Sequence, residues 1–89
     1  MPERNEIRET LVELLESDTG EKYSDLDDGK NLRDDLGLDS VDVVSIVSQI
    51  ERRFRIRLTQ QELEKLVTVG DVLTLLQDKL ANPPGTAAA

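Results

Sequence analysis

The sequence predicts an all-α fold, a small antiparallel bundle of three main helices and one short helix. Apolar residues recur at helical spacing in three separate stretches. Three of the four expected helix entrances carry Asp or Thr followed three residues later by an acid: Asp39/Asp42, Thr59/Glu62 and Thr68/Asp71. The one run that alternates like a strand, Phe54 to Leu58, has no second strand to pair with. At 89 residues and 10.0 kDa there is room for one domain, expected over 1–82, with 83–89 as a disordered tail.

The first helix is expected over about Glu3 to Glu16. Ile7, Leu11, Leu14 and Leu15 form its apolar stripe, Glu3 and Glu6 suit the positive end of its dipole, and Ser17 to Gly20 stop it. Residues 17 to 38 then form a long connection with turn formers at Asp25, Asp27, Asp28, Gly29 and Asn31. Leu26, Leu32, Leu36 and Leu38 recur through it, which predicts an ordered loop pinned to the core, with a helical turn near Leu32 to Leu36.

The second helix begins after Asp39, whose carboxylate can accept first-turn N–H groups; Asp42 is a weaker form of the capping-box acid. Val43, Val47, Ile50 and Phe54 set its stripe, and Val41, Val44 and Ile46 widen it. So many β-branched residues lose side-chain freedom in a helix, so tertiary packing must hold this one. Phe54 to Leu58 is expected to be an extended connection. Thr59 opens the short helix, with Leu63 and Leu66 pointing inward. Thr68 opens the last, through Leu80, with Val69, Val72, Leu73, Leu76 and Leu80 inward and Asn82 to Gly85 ending it.

Composition excludes several functions. There is no Cys and no His, so disulfides, thiolate chemistry, Cys-ligated zinc and His-based catalysis cannot be assembled from these residues. With 19 acids against 11 bases, the net charge of −8 opposes nucleic acid and anionic membranes. No apolar run approaches a membrane span and no signal-peptide pattern opens the chain, so a cytoplasmic monomer that is not an enzyme is the expectation. Only two residues are aromatic, Tyr23 and Phe54, and the core must be aliphatic. The acidic loop fails the calcium template: counted from Asp25, Gly29 is at position five rather than six, and position twelve is not Glu.

One stretch concentrates unusual features: Asp35-Leu36-Gly37-Leu38-Asp39-Ser40-Val41-Asp42. Ser40 falls at the first helical position, where free N–H groups and the positive dipole end favour an anion by roughly 0.3–1 kcal/mol at an exposed site. Gly37 permits a turn that a side chain would obstruct. Ser40 is thus suited to carry a phosphodiester and ill suited to act as an unaided nucleophile. Ordinary helix-entrance polarity is the plainer account of the same serine.

That octapeptide, the following apolar helix ending Ile50-Glu51-Arg52-Arg53-Phe54, and the run Glu64-Lys65-Leu66-Val67-Thr68-Val69-Gly70-Asp71 together resemble the acyl carrier protein family, from Ile7 to about Leu80. The resemblance implies that Ser40 receives 4′-phosphopantetheine from a phosphopantetheinyl transferase. The arm then carries acyl or aminoacyl groups as thioesters for fatty-acid, polyketide or related biosynthesis. An acyl-loading ligase or acyltransferase, and a ketosynthase or other acyl-processing enzymes, are the implied partners. Leu38, Asp39, Val41, Asp42, Val44, Ser45, Ser48, Glu51 and Arg52 match positions that partners read. Val43, Val47 and Ile50 match the border of a cleft for the cargo, although plain core packing accounts for them as well. A peptidyl or aminoacyl carrier, and an unmodified helical adaptor, remain the alternatives.

The chain departs from the family pattern in two places. Position 41 is Val where Leu is usual, and Glu51 is followed by Arg52 and Arg53 where fatty-acid carriers continue with acids. Residues 1–39 hold 13 acids and 5 bases, whereas residues 40–58 hold 2 acids and 4 bases. An acidic helix would steer toward basic enzyme patches; this one points to dedicated partners. Opposition to the negative end of their own helix is the other account of the two arginines.

Overall fold

The computed structural model describes residues 3–23 and 26–81. The expected tail 83–89 and Asp25 of the acidic loop lie outside the described residues. Four helices follow one another: α1 (Arg4–Thr19), α2 (Ser40–Phe54), α3 (Gln60–Glu64) and α4 (Val69–Ala81). No strand forms among the described residues; a single bridge joins Asn31 to Thr68.

Helix α1 buries Ile7, Leu11 and Leu15 and packs against both α2 and α4. It runs one turn past the end expected at Glu16. The last turn holds because its polar residues find partners there. Thr19 Oγ1 donates to the Leu15 carbonyl at 2.9 Å, and Asp18 accepts from Ser45 Oγ of α2 at 2.7 Å. Gly20 then ends the helix at φ 79°, donating its N–H to the Glu16 carbonyl. That is a left-handed position where glycine avoids a Cβ penalty.

The described part of the long loop is pinned to the core, as its leucines predict. Leu26, Leu32 and Leu38 are buried with the helix residues, and Leu36 packs against them. Each such side chain contributes roughly 1.5–3 kcal/mol of burial. A helical turn forms without becoming a helix: Asp35 N–H and Leu36 N–H both donate to the Asn31 carbonyl. The loop is tied to the start of α4 through Leu32 N–H to Val67 O and Val69 N–H to Lys30 O, both at 2.9 Å.

A polar clamp completes this corner. Arg4 reaches Asp28 at 2.7 Å, Gln77 at 2.8 Å and Thr74 at 3.2 Å. Arg8 reaches the other oxygen of Asp28 at 2.6 Å. Hydrogen bonds from Arg4 and then Arg8 hold the Asp28 carboxyl below the usual carboxylate range.

Helix α2 buries Ile46, Val47 and Ile50, while Val43 and Phe54 are half-buried. It ends at Arg55, which takes φ 57° and closes on the Glu51 carbonyl together with Ile56 N–H. The connection that follows is extended, with Ile56 buried.

Helix α3 opens with the expected box: Glu62 N–H donates to Thr59 Oγ1, and Thr59 N–H to Glu62 Oε1. The Thr59 N–H, then Lys79 at 2.9 Å, lower the Glu62 pKa. α3 is shallower than predicted. It buries no residue: Leu63 is only half-buried, and Leu66, just past its end, is half-buried but packs against the core. Val69, Val72, Leu73 and Leu76 of α4 fill the other side of the core.

Candidate functional site

The entrance to α2 is built by a reciprocal capping box. Asp39 Oδ1 accepts the Asp42 N–H at 2.8 Å, and Asp42 Oδ2 accepts the Asp39 N–H at 3.3 Å. The acid predicted to be the weaker partner thus closes the box. Gly37, at φ 70°, turns the chain into this entrance, and Leu38 anchors it in the core. The box leaves the Ser40 and Val41 N–H groups without an acceptor among the described residues, as first-turn amides of a helix are. The Ser40 side chain is exposed and makes no hydrogen bond among the described residues.

A hollow of about 220 Å³ opens beside Ser40, between α2 and α3. Val43, Val44 and Val47 line its α2 side; Gln60, Leu63 and Glu64 line its α3 side. Arg33, from the loop, also lines it. Arg33 also borders a second hollow of about 410 Å³ that continues past Val43 and Leu63 to Leu66 and Val67. Val43, Val47 and Ile50, the residues expected at a cleft, together border one apolar interior space of about 20 Å³, enough for one water-sized group. Val43 and Val47 also reach the outer hollow.

The residues predicted for partner recognition fall into two sets. Val41 (75% exposed), Val44 (61%), Ser48 and Arg52 share the outer face of α2. The others are engaged elsewhere. Leu38 is buried, Asp39 and Asp42 form the capping box, Ser45 bonds to Asp18, and Glu51 Oε2 accepts the Leu58 N–H at 2.9 Å. Arg52 and Arg53 also part company: Arg53 lies 3.5 Å from Glu13 of α1, while Arg52 has no ion pair among the described residues.

The family model for the phosphopantetheine attachment site matches residues 9–76. The chain belongs to the acyl carrier protein family. It is 36% identical over 87 residues to an acyl carrier protein of Saccharopolyspora erythraea, covering 98% of this chain and 92% of the relative. It is 34% identical over 80 residues to one of Thermotoga maritima, covering 90% of this chain and 99% of the relative. A crystal structure of a Thermotoga maritima acyl carrier protein superposes with a TM-score of 0.81 at 27% identity, covering 88% of this chain and 91% of that one. Members of the family carry a covalent 4′-phosphopantetheine and are carriers rather than catalysts.

The α2 entrance suits such a group, since two unpartnered N–H groups and a helix dipole meet an exposed hydroxyl. The sequence offers no site role for Arg33 and Gln60, and it marks Leu63 only for packing and Glu64 only for the family resemblance. The available signal was charge: Arg33 is the only basic residue between Lys30 and Arg52.

Proposed function

We propose that Ser40 carries the 4′-phosphopantetheine arm, on which acyl or aminoacyl groups ride as thioesters between enzymes of the cytoplasm. The exposed, unbonded hydroxyl at the first position of α2 supports this above all. In the attachment step Ser40 Oγ bonds to phosphorus, the donor's phosphoanhydride breaks, and the hydroxyl proton leaves. The chain has no His or Cys to take that proton, and Asp39 and Asp42 are committed to each other's backbone. The base must therefore come from the transferase. Once attached, the arm supplies the thiol that this chain lacks.

Co-expression with a broad-range phosphopantetheinyl transferase, read by intact mass, tests the proposal. Wild type should gain the arm and Ser40→Ala should not. Wild type left unmodified by several transferases, or Ser40→Ala still modified, overturns it.

The outer face of α2 supports a second element, docking of dedicated partners. Exposed Val41 and Val44 lead to an unpaired Arg52 where an acid would favour basic fatty-acid enzymes. Arg52→Glu should raise loading by generic fatty-acid enzymes at low salt, where screening is weakest. Arg53→Glu should raise it less, since Arg53 is turned toward Glu13. Equal rates for wild type and both variants overturn the steering.

A further inference from the structure

We propose that Arg33 is a positioning residue that docks the phosphate end of the arm into the hollow between α2 and α3. The inference rests on attachment of the arm at Ser40. A phosphodiester there meets two opposing influences. The Ser40 and Val41 N–H groups attract it, while the Asp39 and Asp42 carboxylates, held close by the capping box, repel it. Arg33 supplies the missing counter-charge. Its side chain borders the same hollow as Ser40, is exposed, and makes no hydrogen bond or ion pair among the described residues. A guanidinium presents a planar fork of donors that matches two phosphate oxygens.

The walls fit the rest of the arm. Val43, Val44 and Leu63 give apolar surface for its branched alkyl portion. The acids near Arg33 are the competitors. Glu64 borders the hollow without forming an ion pair to Arg33, Asp34 is exposed, and Asp35 Oδ2 is occupied by the Asn31 N–H at 2.6 Å. An arm held this way lies against the protein between visits. A partner that draws off the guanidinium, or added salt, releases it.

The test uses holo-protein made with the transferase and checked by intact mass. The readouts are the phosphorus-31 chemical shift and the nuclear Overhauser contacts between the arm's methyl groups and those of Val43 and Leu63. At low salt, Arg33→Gln should reduce these contacts about two- to fivefold, the range an exposed ion pair supplies. Its phosphorus shift should move toward that of the free arm. Arg33→Lys should keep part of the effect, through charge without the fork. Salt should weaken the contacts in wild type and leave Arg33→Gln unchanged, a response that a merely structural residue would not produce. The melting temperature should stay constant, because the Arg33 side chain holds nothing in the fold. Arg33→Gln spectra that match wild type at low salt overturn the docking role alone. An unmodified mass overturns both this and the Ser40 reading.

Discussion

The entrances to α2 and α4 use the same local device to opposite ends. Each is a capping box: Asp39 with Asp42 at α2, Thr68 with Asp71 at α4. Each leaves one side chain at the first helical position. At α4 that residue is Val69, fully buried, and the next, Gly70, lies under Asp28 so closely that a Cβ would stand 3.1 Å from Asp28 Cβ. At α2 the residue is Ser40, exposed and unbonded. Local hydrogen bonding therefore does not separate a structural helix entrance from a functional one. What packs on the first turn separates them.

The largest effects come from exchanging demands between the two entrances. Ser40→Ala should abolish attachment of the arm, read by intact mass, and leave the denaturant midpoint nearly unchanged. Val69→Ala should do the reverse. Loss of two buried methyl groups and the cavity left behind should cost about 2 kcal/mol in urea unfolding, with the arm still attached. A Ser40→Ala protein as unstable as Val69→Ala would erase the contrast.

Next in size are the boxes themselves. Asp39→Ala and Thr68→Ala should each cost about 1 kcal/mol in the same assay. Similar losses would show that the two devices are equivalent. A much larger loss at Thr68 would mean that the α4 cap also relies on the loop contacts around it.

Acid should weaken the packed corner through its hydrogen-bonded carboxylates. Asp28 has its carboxyl held low first by the Arg4 hydrogen bond, Glu62 by the Thr59 N–H, and Asp71 by the Thr68 N–H. A lowered folded-state pKa adds stability that is complete above the unfolded value and fades as pH falls through the folded one. Stability should thus decline below about pH 4, the ordinary carboxylate range. Asp28→Asn should flatten the slope there, measured as urea midpoint against pH. An unchanged slope would remove Asp28 from the account. The change should be small, because solvent reaches all three groups and screens them.

The smallest effect belongs to Arg53. Its pair with Glu13 spans 3.5 Å between exposed side chains, so Arg53→Gln should shift stability by no more than about 0.5 kcal/mol. A larger loss would make α1–α2 pairing a structural need rather than a surface contact.

Much of this arrangement is legible in the residues before folding. The starts of α2, α3 and α4 follow from Asp39, Thr59 and Thr68, because caps depend on neighbours within three residues. The buried leucines of the long loop follow from their recurrence. The end of α1 does not, because its last turn depends on Ser45 of α2 meeting Asp18. The shallow seating of Leu63 and Leu66 is likewise invisible in a capping pattern. In the site, Ser40 and the outward valines are readable from position on one helix. The assignments at Ser45 and Glu51 shift because their polar atoms turn to α1 and to the Leu58 N–H.

By itself, the order of residues determined what rests on short-range chemistry: three helix entrances, the aliphatic core, the absence of a native thiol or imidazole, and a serine beside unsatisfied amides. Only the tertiary structure decided which of two arginines stays unpaired and which loop cation stands beside Ser40. It alone determined how little interior space remains. Those outcomes depend on segments far apart in sequence meeting at atomic distances, and a pattern read along one strand of chain contains no such distances.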